Sequence, residues 1–386
     1  MVARKLVFSS VLLLAGVFCL WRALNPSHVD ASPSLRAANV TPAATSPAHQ
    51  AIETIRVAQR VVGRNPIREE VEPWEPDPQT WREVRLHMRK PSGRSLWMTL
   101  LRPFIWLQTN DAAVGDTIDM DLHELGASGP AEVTYIGPCP EIPPGDDPVV
   151  IGTFKHEVDE NSHVINLWLE GDAQPTGVTD NHPYWSVDRG QFVPAGELRV
   201  GETVDTLAGT ARVARLESRA YTGFLYNLET TEHVYRVDQS GILVHNNGCS
   251  VKIVPDSYGR THKAFATVTP DSLRAGTRTN RSTTRAARNA GKPGDDAGHI
   301  RGWLLGGRGG VRDMNWFAQS PHVNRGDYAK FEQRVARYVK DTGADVNIEV
   351  TFEYPRSGAN FKRPSRVHYE VFSSEGELIM RESFKN

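Results

Sequence analysis

Residues 325–342 read RGDYAKFEQRVARYVKDT, and residues 345–354 and 365–373 follow as DVNIEVTFEY and SRVHYEVFS. The first segment carries apolar residues at intervals of three and four, which predicts an amphipathic helix. The other two alternate apolar and polar residues, which predicts two half-buried strands joined through a turn at residues 354–358. A helix followed by a strand pair gives this end of the chain an α+β class.

Strand signals dominate the segment from about residue 81 to residue 245. Six short segments are rich in β-forming residues and bounded by Gly, Pro, Asp and Asn, and no long 3.6-residue period occurs among them. They read WREVRLHMRK, SLWMTLLRPFIWLQ, AEVTYIG, HVINLWLEG, ARVARLES and EHVYRVD. We therefore expect an all-β domain in this part of the chain.

The first 24 residues are typical of a targeting segment. Arg4 and Lys5 precede an apolar stretch at residues 6–21. As a helix this stretch would be about 24 Å long, which is shorter than a hydrocarbon core of about 30 Å. The pattern favours a signal peptide, with a tilted signal anchor as the alternative. We expect export, either secreted or membrane-anchored in a bacterium, with membrane contact through residues 6–21 only. Residues 25–74 are rich in Pro, Ala and Ser and predict a linker.

Composition excludes several classes of protein. The chain has 386 residues, of which 39% are hydrophobic and 23% charged, so it is not wholly disordered, collagen-like or a polytopic membrane protein. Its three scattered cysteines exclude a disulfide framework and a CxxC metal site. The net charge of −2 divides into +8 for residues 249–386 and −10 for the rest. We therefore expect only the C-terminal end to contact a polyanion.

Five blocks of residues occur in order between residues 177 and 246. They read TDNHPYW, FVPAGELRVGETVDT, YNL, HVY and GILVHN. This series resembles the second half of the Hint (hedgehog/intein) family, in the version that precedes toxin modules of bacterial polymorphic toxins. The resemblance implies a Hint-like β domain, which we place at residues 75–246.

The same resemblance implies autoprocessing chemistry. Thr179 and His182 would polarise a peptide bond, and the side-chain amide of Asn246 would attack its own carbonyl carbon and cut the chain. The neighbouring His245 would supply a proton to the leaving amine near neutral pH. The Cys or Ser nucleophile that opens the family's domain is missing, so cleavage after Asn246 is the step that remains. The alternative is a scaffold in which His182 and His245 are satisfied core residues.

A second constellation begins with the sequence GDDAGH at residues 294–299. Asn315, Asn324 and Glu332 follow, and the two intervals between them are nine and eight residues. This order resembles the DNA/RNA non-specific endonuclease family, which has a ββα-metal fold. Members carry an Asp-Arg-Gly-His motif where this chain has Ala297 in place of the Arg. The resemblance implies a multidomain protein in which an α+β nuclease domain, at residues 247–386, follows the all-β domain.

The resemblance assigns a role to each residue of this set in hydrolysing DNA or RNA. His299 would be the general base, and Asn324 would be the direct protein ligand of Mg²⁺ or another divalent cation. Glu332 would hold a metal-bound water, and Asn315 would orient the site. The residue types suit these roles, because an imidazole titrates near neutral pH and an amide oxygen is a hard donor for Mg²⁺. Taken singly, such residues are more often loop, helix-cap and surface positions.

Four arginines precede the motif at intervals of three or four residues. In a helix they would form one stripe that neutralises phosphates. The segment GTRTNRSTT is a poor helix former, so a flexible basic strap and a merely solvated segment are the alternatives. The candidate nucleic-acid-binding residues are Arg278, Arg281, Arg285 and Arg288.

These observations indicate an exported bacterial toxin that acts as a metal-dependent endonuclease on DNA, RNA or both. A cognate immunity protein is a possible further partner. One rival is a catalytically weakened nucleic-acid-binding module. The other is a self-cleaving carrier whose cargo acts in some other way.

Overall fold

The computed structural model describes residues 49–66, 74–90, 92–122, 125–246, 251–311 and 314–386. The predicted leader and most of the predicted linker lie outside the described residues. No helix within the described ranges is long and apolar enough to cross a membrane. Residues 49–246 are called the β domain below, and residues 251–386 the C-terminal domain, because each forms sheets from its own strands.

The β domain is built from two antiparallel sheets. Its strands are β1 (Trp81–Arg89), β2 (Ser95–Pro103), β3 (Thr117–Leu122), β4 (Ala127–Pro138), β5 (Val150–Val158), β6 (His163–Leu169), β7 (Thr176–Val178), β8 (Pro183–Ser186), β9 (Gln191–Pro194), β10 (Thr203–Thr206), β11 (Gly209–Ala220), β12 (Gly223–Thr230), β13 (Val234–Val237) and β14 (Ile242–His245). The first sheet has the order β12-β5-β2-β1-β4-β3. The second has the order β13-β14-β8-β10-β11-β6-β7, with β9 paired to β8. The predicted all-β class is confirmed.

One short helix, α1 (Phe104–Thr109), interrupts the strands of the β domain. It begins directly after Pro103, the last residue of β2, where the missing N–H of proline ends the strand pairing. Trp106 and Leu107 of α1 are buried in the core of the first sheet. This core also takes the inward side chains of β1, which are Val84, Leu86 and Met88.

Residues 49–66 pack against the β domain, although the sequence assigns them to the linker. Ile52 and Ile55 lie on the core of the second sheet. The N–H of Ala58 donates to the carbonyl of Val150 at 2.8 Å. Because this segment has no regular apolar period, its role in the core left no signal in the sequence.

The C-terminal domain combines a five-stranded and a two-stranded antiparallel sheet with helices. Its strands are β15 (Lys252–Pro255), β16 (Thr261–Val268), β17 (Asp296–His299), β18 (Trp316–Gln319), β19 (Val346–Glu353), β20 (Arg366–Ser373) and β21 (Leu378–Lys385). Its helices are α2 (Arg281–Ala290), the short turn α3 (Pro321–Val323) and α4 (Ala329–Thr342). The larger sheet has the order β15-β16-β19-β20-β21, and β17 pairs with β18. The predicted α+β class is confirmed.

Helix α4 confirms the predicted amphipathic helix but starts later than expected. Gly326 has non-helical dihedral angles (φ −104°, ψ −109°), so the regular helix begins at Ala329 and not at Arg325. Gly343 ends it in the left-handed conformation that glycine tolerates best. The buried side chains of α4 are Phe331, Val335 and Val339.

Helix α4 packs on the five-stranded sheet through aromatic rings. The ring centroid of Phe331 lies 5.0 Å from that of Tyr369 in β20. Tyr328, just before the helix, lies 4.9 Å from Phe384 in β21. The alternation predicted for β19 is confirmed, because one face of this strand is buried. The buried residues of that face are Val346, Ile348, Val350 and Phe352.

A buried ion pair connects β2 with β12 across β5. The guanidinium of Arg102 donates to the two carboxylate oxygens of Glu229 at 3.2 and 3.0 Å, and both residues are almost fully buried. Gly152 in β5 makes room for the carboxylate, since a Cβ there would lie 2.9 Å from its Oε2 atom. Removing one partner of such a pair leaves an uncompensated buried charge.

We expect Glu229→Ala to lower the free energy of unfolding by about 3–5 kcal/mol. Urea-induced unfolding of the full chain measures this change. The control is Glu217→Ala, which removes the partner of Arg215 in an exposed pair and should cost less than about 1 kcal/mol. Equal losses for the two variants would contradict the role given to the buried pair.

Candidate active site and processing site

His299 ends strand β17, which pairs in register with β18 from Asp296–Gln319 to His299–Trp316. Its Nε2 atom lies 2.9 Å from the carbonyl oxygen of Thr277. A carbonyl can only accept, so Nε2 carries the proton and Nδ1 keeps its lone pair. Burial lowers the pKa of His299, while the bond to Thr277 acts in the opposite direction. The ring is therefore neutral at pH 7, and Nδ1 can accept a proton.

Asn324 begins the kinked turn Asn324–Tyr328, and Asp296 sets the orientation of its amide. The Nδ2 atom of Asn324 donates to Oδ2 of Asp296 at 2.9 Å. The guanidinium of Arg325 donates to both oxygens of the same carboxylate at 2.8 and 2.7 Å. Burial raises the pKa of Asp296, but the bonds from Arg325 and Asn324 outweigh it and hold that pKa below its ordinary value. Because Nδ2 is directed at this carboxylate, Oδ1 on the other branch of the planar amide is directed away from it.

Glu332, on α4, faces the turn that follows His299. Gly302 permits this approach, because a Cβ at that position would lie 2.4 Å from Oε1 of Glu332. This Oε1 atom is buried and has no hydrogen-bond partner among the described residues. Burial raises the pKa of Glu332 to about 8. A cation or a cation-bound water beside it would satisfy Oε1 and favour the ionised carboxylate.

These groups fit a cation that is held mainly through water. Within the described ranges, no three His, Cys, Asp or Glu side chains form a cluster that could hold a metal ion. Asn324 instead offers one neutral oxygen, and Glu332 offers an unpartnered acceptor. Mg²⁺ keeps several waters and needs few protein ligands, so this sparse donor set suits it.

Asn315 is fully buried and shapes the turn after His299. Its Oδ1 atom accepts the N–H of Arg301 at 2.8 Å. Its Nδ2 atom donates to the carbonyls of Arg301 and Arg308 at 3.0 and 2.8 Å. One side chain therefore satisfies backbone groups on both sides of the turn. This geometry gives Asn315 a supporting position and not one that contacts substrate.

Helix α2 displays three of the four predicted arginines on its exposed face. Asn280 caps its first turn with a side-chain hydrogen bond, which favours a helix despite the weak propensity of the sequence. Arg278 precedes the helix, and its guanidinium lies 5.5 Å from the ring centroid of the exposed Trp303. Helix α2 contacts β17, the strand that carries Asp296 and His299, so the helix lies beside the site. The three exposed arginines are Arg281, Arg285 and Arg288.

Three residues that support this site carried no signal in the sequence. Thr277 acts through its carbonyl, and Gly302 acts through the absence of a side chain. Asn386 accepts the N–H of Ser320 at 2.8 Å and donates to the carbonyl of Ala318 at 2.8 Å, which fixes the chain just before α3. The backbone carbonyl that Thr277 offers is common to every residue type, and Gly302 and Asn386 stand outside the spacing pattern that indicated the site.

Comparison with known proteins shows what the second domain is similar to. Residues 242–374 match the model of the family described as DNA/RNA non-specific endonuclease. The C-terminal domain is therefore similar to this family over most of its length. The matched range contains the four residues His299, Asn315, Asn324 and Glu332.

One similar protein is the "Probable deoxyribonuclease RhsA" of Dickeya dadantii strain 3937. It is 41% identical over 128 residues, which are 33% of this chain and 8% of that protein. The chain therefore spans a small part of the length of this relative. The endonuclease resemblance predicted from the sequence is confirmed by these matches.

Two solved structures illustrate what the chain is similar to. An intein-like domain from Clostridium thermocellum is 19% identical and covers 43% of this chain and 98% of its own, with a TM-score of 0.23. NucA from Streptococcus agalactiae with magnesium bound is 18% identical and covers 42% of this chain and 80% of its own, with a TM-score of 0.26.

Thr179 and His182, the first predicted processing pair, line a cavity of about 450 Å³ in the β domain. The Nε2 atom of His182 lies 3.4 Å from the hydroxyl oxygen of Tyr235. That hydroxyl donates to Oδ1 of Asn227 at 2.8 Å. Three of the five sequence blocks therefore meet at one cavity.

Asn246, the predicted cleavage residue, is almost fully buried at the end of β14. Neither its Oδ1 nor its Nδ2 atom has a hydrogen-bond partner among the described residues. Its backbone N–H donates to the carbonyl of His233 at 2.9 Å, and the His233 ring stacks on His245 with centroids 6.1 Å apart. A buried amide without partners costs about 1–3 kcal/mol.

Burial keeps the histidines of this region neutral. It lowers the pKa of His182 to about 4. It also lowers the pKa of His245 well below the ordinary value, with a further contribution from His233. These shifts disfavour the imidazolium that would donate a proton near neutral pH.

We expect the chain to lose stability as the pH falls from 7 to 5. Between pH 6.5 and 4 the unfolded chain protonates His182 while the folded chain does not. The free energy of unfolding therefore decreases as the pH is lowered, by at most about 1.4 kcal/mol per pH unit for one proton. Urea unfolding at several pH values measures the slope. His182→Gln should reduce it, whereas the exposed His262→Gln should not, and equal slopes in all three proteins would refute the explanation.

Proposed function

We propose that this chain is a nuclease whose C-terminal domain hydrolyses phosphodiester bonds of DNA or RNA with Mg²⁺ or another divalent cation. The observation that carries the proposal is the grouping of His299, Asn324 and Glu332 around one strand and its following turn. Asp296 connects the strand of His299 to Asn324, and Gly302 brings Glu332 to the same turn. The name of the bacterial relative makes DNA the first substrate to test.

In this proposal His299 acts as the general base. Its Nδ1 atom takes a proton from water as the water oxygen attacks phosphorus, and the Nε2–H bond to Thr277 holds the ring in the required tautomer. The bond between phosphorus and the leaving oxygen breaks, and the leaving oxygen takes up a proton from solvent. The cation, when bound, neutralises charge on the scissile phosphate and the leaving oxygen. Asn324 would hold it directly, and Glu332 would accept a hydrogen bond from one of its waters.

The exposed face of α2 is the proposed phosphate-binding surface. Its arginines, with Arg278 before them, provide positive charge beside the site, and neutralising phosphates releases counterions. Trp303 adds an exposed ring on which a base could stack, next to Arg278. The helix therefore would position the strand of nucleic acid while His299 performs the chemistry.

The base and the metal ligand should be separable by mutation. His299→Ala should lower cleavage by about 10²–10⁴-fold, because it removes the proton acceptor, while Mg²⁺ binding is retained. Asn324→Ala should lose cleavage and weaken Mg²⁺ binding, with partial recovery at high Mg²⁺ because waters and phosphate oxygens still hold the ion. Plasmid degradation and calorimetric titration with Mg²⁺ measure the two effects.

The matched control is His262→Ala, an exposed histidine on β16, which should cleave at the rate of the parent protein. Full cleavage by His299→Ala at ordinary Mg²⁺ concentrations would overturn the proposed mechanism. Binding of nucleic acid without cleavage by the unmodified chain would favour the weakened binding module.

A second candidate function is self-cleavage after Asn246. The buried and unpartnered amide of this residue favours it, because the nitrogen can attack the adjacent carbonyl carbon. A succinimide forms, the peptide bond to Asn247 breaks, and the amine of Asn247 takes up a proton. The lowered pKa of His245 makes the proton donor scarce at neutral pH, so the reaction should accelerate as the pH falls.

Purified full-length protein should therefore yield a fragment that begins at Asn247, and more of it at pH 5 than at pH 7. Asn246→Ala should abolish the fragment, since alanine has no amide nucleophile, whereas the exposed Asn161→Ala should not. Mass spectrometry of the intact products distinguishes these outcomes. A fragment that persists unchanged in Asn246→Ala would indicate an external protease and contradict self-cleavage.

The last part of the proposal is that the protein is exported from a bacterium and acts as a toxin. The charged and apolar pattern of the first 24 residues supports export from a bacterium, by secretion or with a membrane anchor. A nuclease made by a bacterium for export must be silenced in its producer, so a small immunity protein is the partner to seek. The nucleic acid would then be that of a recipient cell.

A further inference from the structure

Helix α2 is buried on the side opposite its arginines, and the β domain covers part of that side. Ala286 is fully buried and belongs to the same apolar core as Trp106 and Leu107 of α1. Val311, which follows the glycine-rich loop of the C-terminal domain, is fully buried in this core too. Residues from both domains therefore share one continuous core.

Polar contacts surround this shared core. Ser282 at the start of α2 donates its hydroxyl to Oδ2 of Asp119 in β3 at 2.8 Å. Asn289 at the other end donates to Oδ2 of Asp111 at 2.6 Å and to the carbonyl of Thr109 at 3.0 Å. Both ends of α2 are thus fixed to the β domain.

The loop before Val311 approaches the β domain closely. The indole N–H of Trp106 donates to the carbonyl of Val311 at 3.4 Å. A Cβ on Gly310 would lie 2.8 Å from the Cβ of Asp121, so the backbone of the loop lies directly against β3. Gly259, near β16, makes a similar approach to Pro103. The contact therefore extends over several segments of the C-terminal domain.

We infer that the two domains remain bound to each other after the chain is cut between them, so that the β domain is a permanent partner of the nuclease. A shared apolar core edged by hydrogen bonds is typical of a stable interface. Separation would expose Ala286, Val311 and Trp106 to water. It would also remove the support of a ten-residue helix that is too short to be stable alone.

The bound β domain leaves the proposed nucleic-acid surface open. Arg281, Arg285 and Arg288 are exposed although the opposite side of α2 is covered. In the described part of the chain, no hydrogen bond or ion pair joins the β domain to His299, Asn324 or Glu332. The two-domain complex is thus compatible with substrate binding, and cleavage of the junction need not release the nuclease for it to act.

The test uses the full chain with a specific protease site inserted between Gly248 and Cys249 and with Asn246→Ala to prevent self-cleavage. After proteolysis, size-exclusion chromatography at micromolar concentration should show both fragments in one peak of unchanged volume. Separate elution of the two fragments would overturn the inference. Because the cut is engineered, this result is independent of self-cleavage and of nuclease activity.

A pair of variants locates the interface on α2. Ser282→Glu places a carboxylate against Asp119, and like charges should weaken the association of the cut fragments at least about tenfold. Thr284→Glu adds the same charge on the outer part of the helix and should leave the association unchanged. Circular dichroism of the uncut proteins checks that both variants fold. Equal affinity for Ser282→Glu and the parent fragments would contradict the assigned surface.

Discussion

The carboxylate of Asp296 holds together the two elements on which the candidate active site depends. Strand β17 carries His299, and the kinked turn after α3 carries Asn324. The carboxylate accepts from Asn324 and, through both oxygens, from Arg325. Charge-assisted, bidentate bonds from Arg325 fix the direction of the carboxylate, and the amide of Asn324 cannot rotate without breaking its own bond to it. The orientation of the proposed metal ligand thus follows from this carboxylate.

Two glycines leave room for the side chains that approach the candidate active site. Gly302 lets Glu332 approach the turn, and Gly298 in the motif lets Gln319 approach β17, because a Cβ there would lie 1.9 Å from its Oε1 atom. A larger residue at Gly298 would crowd Gln319 of β18, and a larger residue at Gly302 would crowd Glu332 of α4. The glycines are therefore as much a part of the site as the groups that react.

The regular elements with a strong apolar period could be predicted from the sequence, and those held by tertiary contacts could not. Helix α4 and strand β19 each bury one face, so their periods were visible. Helix α2 has a weak intrinsic propensity and depends on its cap and on two packed sides, which no local pattern shows. The packing of residues 49–66 on the β domain likewise depends on tertiary contacts, which no local pattern shows. The candidate reactive residues could be predicted because their order and intervals resemble a family, whereas Thr277 contacts His299 only through its backbone carbonyl.

The two candidate sites differ in what would satisfy their buried groups. At the first site, Oε1 of Glu332 lacks a partner among the described residues, and burial raises the pKa of this carboxyl to about 8. A positive charge beside it would stabilise the ionised carboxylate. At the second, the amide of Asn246 is neutral and the histidines beside it are kept neutral by burial. The amide of Asn246 has no hydrogen-bond partner among the described residues, and reaction of the amide or movement of the junction would remove the cost of burying it. The same physical cost, a buried polar atom without a partner, therefore favours metal binding in one domain and a change in the chain itself in the other.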